Sequence, residues 1–132
     1  EDQRLQMDRS QIEQVLINLL KNAQEAVEIR MKEEAAGLSD ETEPAQSQAS
    51  YVRLTTYLSS NKRDFIISIT DNGKGILPEV MERIFVPFFT TKTNGSGIGL
   101  SICKQIVTLH GGTITASSKP GDKTTFSVVL PA

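Results

Sequence analysis

A polar loop between Pro87 and Ser101 carries the residue types that proteins use to hold phosphate groups. Its glycines lack Cβ atoms, so the backbone can turn sharply there or approach a ligand closely. The apolar pattern that follows predicts a helix, and the first N–H groups of a helix have no partner within it and attract anions. The glycines and the hydroxyl or ammonium donors of this loop are Thr90, Thr91, Lys92, Gly95, Ser96, Gly97, Gly99 and Ser101. Alone, the pattern indicates a phosphate site only weakly, because glycine-rich loops without ligands are common.

Two carboxamides lie on a long helix that the sequence predicts from residue 8 onward. Asp8 is the expected N-cap, with Gln11 three residues later. Apolar residues then recur at three- and four-residue spacing, which predicts one stripe packed on a core. At about 100° per residue, Asn18 and Asn22 fall on the same flank of that stripe, at the border between core and solvent. The helix would hold both side chains rigidly; asparagines that only form hydrogen bonds with their surroundings are the plain alternative.

A carboxylate follows the second of two predicted strands. Residues 51–59 and 65–70 have strand patterns and are joined by a short polar link, which predicts a hairpin. Asp71 stands directly after the second strand, and Gly73 and Gly75 allow the chain to reverse tightly. The segment therefore predicts either a plain turn or an acid held against a ligand.

The remaining patterns complete a two-layer fold. Residues 3–7 predict a short strand that begins before Glu1, and the segment from Lys32 to Ser50 predicts a mobile surface excursion rich in Glu, Ser, Gln and Ala. A short helix is predicted at residues 79–83, a second amphipathic helix at 100–109, and a last strand pair at 113–118 and 124–130. This order predicts an α+β protein, a two-layer α/β sandwich with a mixed sheet and helices on one face.

Two further residues near the second amphipathic helix are expected to be structural. His110 lies in its last turn, where a histidine contacts the C-terminal carbonyls, and Gly111 or Gly112 can end the helix in the left-handed conformation. Cys103 is expected to pack as a small apolar residue.

Length and composition exclude several classes of protein. With 132 residues, 38% of them hydrophobic, the chain is expected to form one domain over residues 1–132. Its net charge of −2 gives no basic field of the kind that binds nucleic acid. No apolar run approaches the roughly 20 residues that span a bilayer, the first residues are unlike a signal peptide, and a single cysteine suits a reducing compartment. A cytoplasmic protein that does not bind nucleic acid is expected.

Four stretches together resemble a known family. The segments from Asn18 to Ala26, Asp71 to Gly75, Phe85 to Lys92 and Gly95 to Leu100 resemble, in order and spacing, the N, G1, F and G2 boxes of the catalytic ATP-binding domain of sensor histidine kinases. The resemblance covers nearly the whole chain, and Phe-Phe-Thr-Thr-Lys makes the nitrogen-regulator type the most similar. It implies the Bergerat ATP-binding fold, with ATP and Mg²⁺ as cofactors.

The resemblance also implies roles for individual residues. Asn22 would be the Mg²⁺ ligand and, with Lys92, a catalytic residue, because a carboxamide oxygen is a hard ligand and an ammonium attracts phosphate. Asp71 would accept a hydrogen bond from the exocyclic amine of adenine, where guanine has a carbonyl. Phe88 and Phe89 would form the hinge of a lid that is mobile without nucleotide. The full set that the resemblance assigns to the nucleotide is Asn18, Asn22, Asp71, Gly73, Gly75, Ile76, Phe88, Thr90, Thr91, Lys92, Gly95, Ser96, Gly97, Ile98, Gly99, Leu100 and Thr125, with Thr124 as an alternative to Thr125.

Partners follow from the same resemblance. They are a dimerisation domain that carries the phosphate-accepting histidine, and the receiver domain of a response regulator. His110 belongs to the Leu-His-Gly-Gly end of the helix and is not expected to be the acceptor. The isolated domain is expected to be monomeric. The parent kinase to which it belongs can be attached to a membrane. The chain departs from the common family pattern in two places, namely the segment from Lys32 to Ser50 and the single residue Lys123.

Two rival functions remain open. In related ATPases and serine kinases, a glutamate one turn before the magnesium asparagine acts as base; here that position is Asn18, and a carboxamide cannot accept a proton near neutral pH, which disfavours hydrolysis by that route. A noncatalytic nucleotide switch, in which ATP only orders the lid, is the other alternative.

Overall fold

The computed structural model describes residues 7–37, 49–90, 97–119 and 121–132, which form three helices and four strands. In chain order these are α1 (Arg9–Ala35), β1 (Val52–Leu58), β2 (Asp64–Asp71), α2 (Pro78–Met81), α3 (Gly99–Leu109), β3 (Thr113–Ser118) and β4 (Thr124–Pro131). The strand predicted at residues 3–7 lies almost entirely outside the described residues.

The four described strands form one sheet in the order β1-β2-β4-β3, and each neighbouring pair is antiparallel. The predicted hairpins are therefore present, and β2 and β4 form the centre of the sheet. A parallel pairing, which would make the sheet mixed, would have to involve residues outside the described part of the chain.

Helices α1 and α3 cover one face of this sheet. Alternate residues of the central strands, such as Ile69 of β2 and Phe126 of β4, point toward the helices and are buried with apolar side chains from α1 and α3. The opposite face carries hydroxyl pairs across the same strands, Ser68 with Ser127 at 3.1 Å and Thr70 with Thr125 at 3.0 Å. The predicted two-layer sandwich with helices on one face is confirmed.

Helix α1 begins and packs as its sequence pattern predicts. The Asp8 side chain accepts a hydrogen bond from the Gln11 N–H at 3.1 Å, which makes Asp8 the N-cap. The buried residues of α1 recur every three or four positions: Ile12, Val15, Leu19, Ala23 and Val27. The helix continues to Ala35, so the predicted start of the surface excursion at Lys32 is wrong by about one turn. Arg30 pairs with Glu34 there at 3.0 Å, and such i,i+4 pairs extend a helix past its last buried residue.

His110 connects the end of α3 to the start of α1. Its Nδ1 lies 2.8 Å from the Ile106 carbonyl oxygen and therefore carries the proton, while Nε2 accepts a hydrogen bond from the Asp8 N–H at 3.0 Å. Gly111, at φ +76°, ends the helix in the left-handed conformation. The histidine thus satisfies a C-terminal carbonyl, as predicted, and also the N–H of the α1 cap residue.

Candidate functional site

One flank of α1 connects the two ends of the candidate site. Asn18, Asn22 and Ala26 follow one another at intervals of one turn and are all half-buried. Eight residues of α-helix span about 12 Å, so these three positions form a row of that length. Other segments of the chain contact the row at its two ends.

The α3 end of the row lies at Asn18. A Cβ atom built on Gly99, the first residue of α3, would lie 3.9 Å from the Asn18 carboxamide, so this helix starts beside Asn18. One turn further along α3, Cys103 is fully buried and its Sγ lies 3.8 Å from the Val15 carbonyl oxygen. Burial raises the pKa of the Cys103 thiol to about 11, although a hydrogen bond with the Asn18 side chain acts in the opposite direction. Cys103 is thus an inert packing residue, as the sequence predicted.

The N-terminus of α3 has no polar side chain at its cap position. Ile98 occupies that position, and its apolar side chain cannot accept a hydrogen bond from the first N–H groups. Ser101 turns its hydroxyl back to donate to the Ile98 carbonyl oxygen at 2.9 Å. The positive end of the helix dipole at Gly99 and Leu100 therefore lies next to Asn18 without a side-chain cap.

The other end of the row, at Ala26, is in contact with the turn after β2. A Cβ atom on Gly73 would lie 2.4 Å from the Ala26 carbonyl carbon, so only glycine allows the two backbones to approach so closely. The Lys74 N–H donates to the Ala26 carbonyl oxygen at 3.1 Å. The predicted tight reversal is present, with Gly75 at φ +78°, and it is fixed to α1 one turn beyond Asn22.

Asp71 is the buried acid of this turn. Only 3% of its surface is exposed, and its Oδ1 accepts a hydrogen bond from the Gly73 N–H at 2.8 Å. Burial raises the pKa of Asp71 above its ordinary value of 3.8, while the hydrogen bond from Gly73 lowers it. Burial removes the water molecules that would otherwise donate hydrogen bonds to the carboxylate. A hydrogen-bond donor on a ligand could take their place.

Of the two candidate threonines, Thr124 lies beside Asp71 and Thr125 does not. Thr124 is the register partner of Asp71 across β2 and β4, and it is 3% exposed. Thr125 is on the opposite face of the sheet, where its hydroxyl meets Thr70 at 3.0 Å, so Thr124 and not Thr125 is the threonine that faces the same side as Asp71. The sequence alone does not reveal this, since strand residues alternate between faces and the register decides which one joins Asp71.

Thr124 also belongs to a short chain of hydrogen bonds. Its hydroxyl lies 2.7 Å from that of Ser118, which in turn accepts a hydrogen bond from the Ile76 N–H at 2.9 Å. Ile76 packs against the core. The predicted base-stacking residue is thereby fixed relative to Asp71 through two hydroxyl groups, of which Ser118 was not predicted.

The base of the glycine-rich loop is closed by one contact between its two ends. The Phe88 N–H donates to the Gly97 carbonyl oxygen at 2.8 Å, and a Cβ atom on Gly97 would lie 2.4 Å from the Phe88 carbonyl carbon. Phe88 has φ +69°, which is unusual for a bulky residue, and its side chain is 78% exposed. Thr90 is also exposed. Four residues predicted to contact the nucleotide lie outside the described residues: Thr91, Lys92, Gly95 and Ser96.

Two residues near Asp71 were not predicted from the sequence. Asn72 is 2% exposed, and its side chain bonds to the backbone of residues 49 and 51. Arg30 of α1 donates to the Asn72 carbonyl oxygen. Asn72 follows a predicted acid and precedes a glycine, which is typical of any turn, and Arg30 lies at the exposed end of a helix pattern, so neither had a distinguishing signal.

The family of this chain is decided by comparison with known proteins. Residues 7–132 match the sequence profile of the family described as histidine kinase-, DNA gyrase B-, and HSP90-like ATPase. The chain belongs to this family. Its membership implies ATP as the nucleotide.

Two relatives of this chain are sensor histidine kinases. The chain is 37% identical to the signal transduction histidine-protein kinase AtoS of Escherichia coli strain K12 over 94% of its own length and 17% of that protein. It is also 37% identical to the sensory histidine kinase/phosphatase NtrB of Rhizobium meliloti strain 1021, over 95% of the chain and 31% of that protein. The chain thus spans less than a third of the length of these two relatives.

Solved structures agree with this assignment. The nucleotide-free catalytic domain of the histidine kinase ThkA superposes with a TM-score of 0.69 at 32% identity, covering 95% of this chain and 69% of that one. Full-length ShkA in complex with AMPPNP gives a TM-score of 0.70 at 25% identity, covering 94% of this chain and 22% of that one. The chain therefore has the fold of the ATP-binding domain of histidine kinases. None of the helices in its described segments combines the length and hydrophobicity that crossing a membrane requires.

Proposed function

We propose that this domain binds Mg-ATP along the flank of α1 and presents the γ-phosphate to a histidine on a separate dimerisation domain. The observation that carries the proposal is the row formed by Asn18, Asn22 and Ala26. The turn of the buried acid lies against Ala26, and the N-terminus of α3 lies beside Asn18. These two contacts support a base site and a phosphate site at opposite ends of one rigid element, with Asn22 between them.

The base would bind at the Asp71 end. Ionised Asp71 can only accept hydrogen bonds, and adenine offers an exocyclic amine where guanine offers a carbonyl. A Cβ atom on Gly73 would meet Ala26, so this glycine seats the turn on α1. Gly75 keeps the turn free of a side chain beside the base, and Ile76 supplies an apolar surface to stack on. Thr124, buried beside Asp71, can assist directly or through a water molecule.

The phosphates would bind at the α3 end. The uncapped N–H groups of Gly99 and Leu100 and the positive end of the helix dipole attract an anion. Lys92 and Ser96, outside the described residues, would add an ammonium and a hydroxyl from the loop. The Asn22 carboxamide oxygen is a suitable ligand for Mg²⁺, which keeps several waters and binds through few protein groups. When bound, the ion would neutralise charge on the phosphate oxygens.

Asn18 favours transfer to another protein group over hydrolysis. At the position where hydrolytic relatives of this fold have an acid that activates water, this chain has a carboxamide whose neighbours are Gly99 and Cys103. A carboxamide cannot act as a general base. The proposed acceptor is therefore the histidine of a dimerisation domain, and the phosphate would pass from it to the receiver domain of a response regulator in the cytoplasm.

The test is phosphoryl transfer to a separate domain. The chain is mixed with the dimerisation domain of its own parent kinase and γ-labelled ATP, with and without Mg²⁺. Acid-labile label on the dimerisation domain, present only with Mg²⁺, is the expected result. Bound ATP without phosphohistidine would instead favour the noncatalytic switch, and release of phosphate without transfer would favour an ATPase.

The role of Asn22 is tested by the same assay. Asn22→Ala is expected to reduce transfer at least tenfold and to weaken ATP binding mainly when Mg²⁺ is present, because a metal ligand is lost. Asn22→Asp is the matched control that keeps an oxygen ligand. Equal weakening of ATP binding with and without Mg²⁺ would remove Asn22 from the metal site.

A further inference from the structure

Asn72 is the most deeply buried polar residue among those that the structure describes, with 2% of its surface exposed. Both ends of its carboxamide are used. Oδ1 accepts a hydrogen bond from the Tyr51 N–H at 2.9 Å, and Nδ2 donates to the Ala49 carbonyl oxygen at 2.9 Å. The side chain therefore fastens the turn after β2 to the chain that enters β1, just beyond the ladder pair of Val52 with Asp71.

Arg30 fastens the same residue to α1. Its guanidinium donates through Nη1 to the Asn72 carbonyl oxygen, while Nε pairs with Glu34 at 3.0 Å. The Arg30 side chain is only 16% exposed, in contrast to 92% for Arg9, which forms the same i,i+4 pair with Glu13 at the other end of the helix. A charge-assisted bond to a carbonyl in a water-poor site is stronger and more directional than an exposed ion pair.

These contacts surround Asp71 on its C-terminal side. Asp71 is bonded to the Gly73 N–H, Gly73 is seated on Ala26, and Asn72 between them is held by Arg30 and by residues 49 and 51. The carboxylate cannot swing away from the base site unless one of these contacts opens. Discrimination against guanine needs this rigidity, because a mobile carboxylate could turn away from the guanine carbonyl and relieve the repulsion.

We infer that Asn72 and Arg30 are positioning residues that set the selectivity for adenine by fixing Asp71. The inference rests on the proposed function, since it concerns the site at which ATP is proposed to bind. Neither residue needs to touch the nucleotide; both act through the turn at residues 71–74. Loss of either contact is expected to weaken ATP binding and to relax discrimination against GTP, while the sheet and core stay intact.

The experiment compares four variants of the full chain by calorimetric titration with ATP and with GTP. Arg30→Gln and Asn72→Ala are expected to weaken ATP binding about tenfold and to reduce the ratio of ATP to GTP affinity. Arg9→Gln, which removes the corresponding exposed pair, is the matched control and is expected to change neither. Arg30→Lys keeps a donor for the carbonyl and is expected to restore most of the ratio.

A second measurement separates positioning from general destabilisation. Amide exchange at Gly73 reports the hydrogen bond to Asp71 and is expected to accelerate in Arg30→Gln, while exchange in the central strands β2 and β4 stays slow. Should Asn72→Ala fail to fold, Arg30→Gln alone decides. An unchanged ratio of ATP to GTP affinity in Arg30→Gln would overturn this inference and leave the proposed function standing. Failure of the unaltered chain to bind ATP would overturn both.

Discussion

Asp71 is an acid that the fold buries at a cost to the stability of its charged form. Burial raises its pKa above 3.8, so the folded state favours the protonated form more than the unfolded chain does. The stability that Asp71 contributes is therefore fully present below pH 3.8 and is lost as the pH rises through the raised pKa. Above the raised pKa, the buried carboxylate destabilises the folded protein.

Asp71→Asn is expected to separate stability from binding. The amide oxygen can still accept from Gly73 while no charge is buried, so the melting temperature without nucleotide should rise at about pH 7, and the gain should shrink toward about pH 4. ATP affinity should fall by about 1–3 kcal/mol, because the amide presents a mismatched group to adenine. Thermal melts across this pH range and calorimetry measure the two effects. An affinity equal to that of the unaltered chain would exclude Asp71 from the site.

Cys103 is expected to resist thiol reagents until the protein unfolds. With a pKa of about 11 and a fully buried side chain, its thiolate fraction at pH 8 is about one in a thousand, and the reagent has no access. Labelling with a chromogenic disulfide in increasing urea should follow the unfolding transition seen by circular dichroism. Rapid labelling in the absence of urea would show that the contact between α1 and α3 opens locally.

At the scale of elements, the contact between Phe88 and Gly97 defines where the loop begins and ends. A Cβ atom at Gly97 would collide with the Phe88 backbone at 2.4 Å, and φ is +75°. Gly97→Ala is therefore expected to break this contact and to weaken nucleotide binding about tenfold, with little change in melting temperature because the contact lies outside the core.

Gly121→Ala is the matched control for Gly97→Ala. Gly121 also has a positive φ, +82°, but a Cβ atom there would meet nothing within 4 Å. It adds the same kind of backbone strain without a collision, so it should leave ATP affinity unchanged. Equal effects of the two substitutions would mean that backbone strain, and not the contact with Phe88, governs binding.

His110 joins the two main helices and is expected to contribute to stability. Substitution by alanine leaves the Asp8 N–H and the Ile106 carbonyl without these partners. The expected loss is about 0.5–1.5 kcal/mol in the free energy of unfolding, measured by urea denaturation. Thr108→Ala, at an exposed position of the same helix, is the control, and an equal loss there would trace the effect to the helix and not to the bridge.

At the scale of the whole molecule, the chain alone is expected to bind ATP without phosphorylating itself. Its single histidine has one ring nitrogen at the Ile106 carbonyl and the other at the Asp8 N–H, so neither is offered to a phosphate. Incubation with γ-labelled ATP should leave no acid-labile label on the chain until the dimerisation domain is added. Label on His110 would contradict both this geometry and the proposed acceptor.

The local pattern was sufficient for most of the architecture. The cap at Asp8, the stripe of α1 and the two hairpins depend on interactions within a few residues of each other, and the sequence predicted them closely. The four glycine- and polar-rich motifs were sufficient to indicate an ATP-binding domain through their resemblance to a known family, whereas their residue types alone indicated a phosphate site only weakly.

The contacts between motifs were decided only by the tertiary structure. Sheet register places Thr124 and not Thr125 beside Asp71, since one residue of shift moves a strand side chain to the other face. Two contacts join residues more than 40 positions apart: the hydrogen bond from Arg30 to Asn72 and the close approach of Gly73 to Ala26. Asn72 is buried only because the chain packs in this way. Local sequence carries no signal for such pairs because burial and distance are properties of the packed chain, and packing also sets the pKa of Asp71.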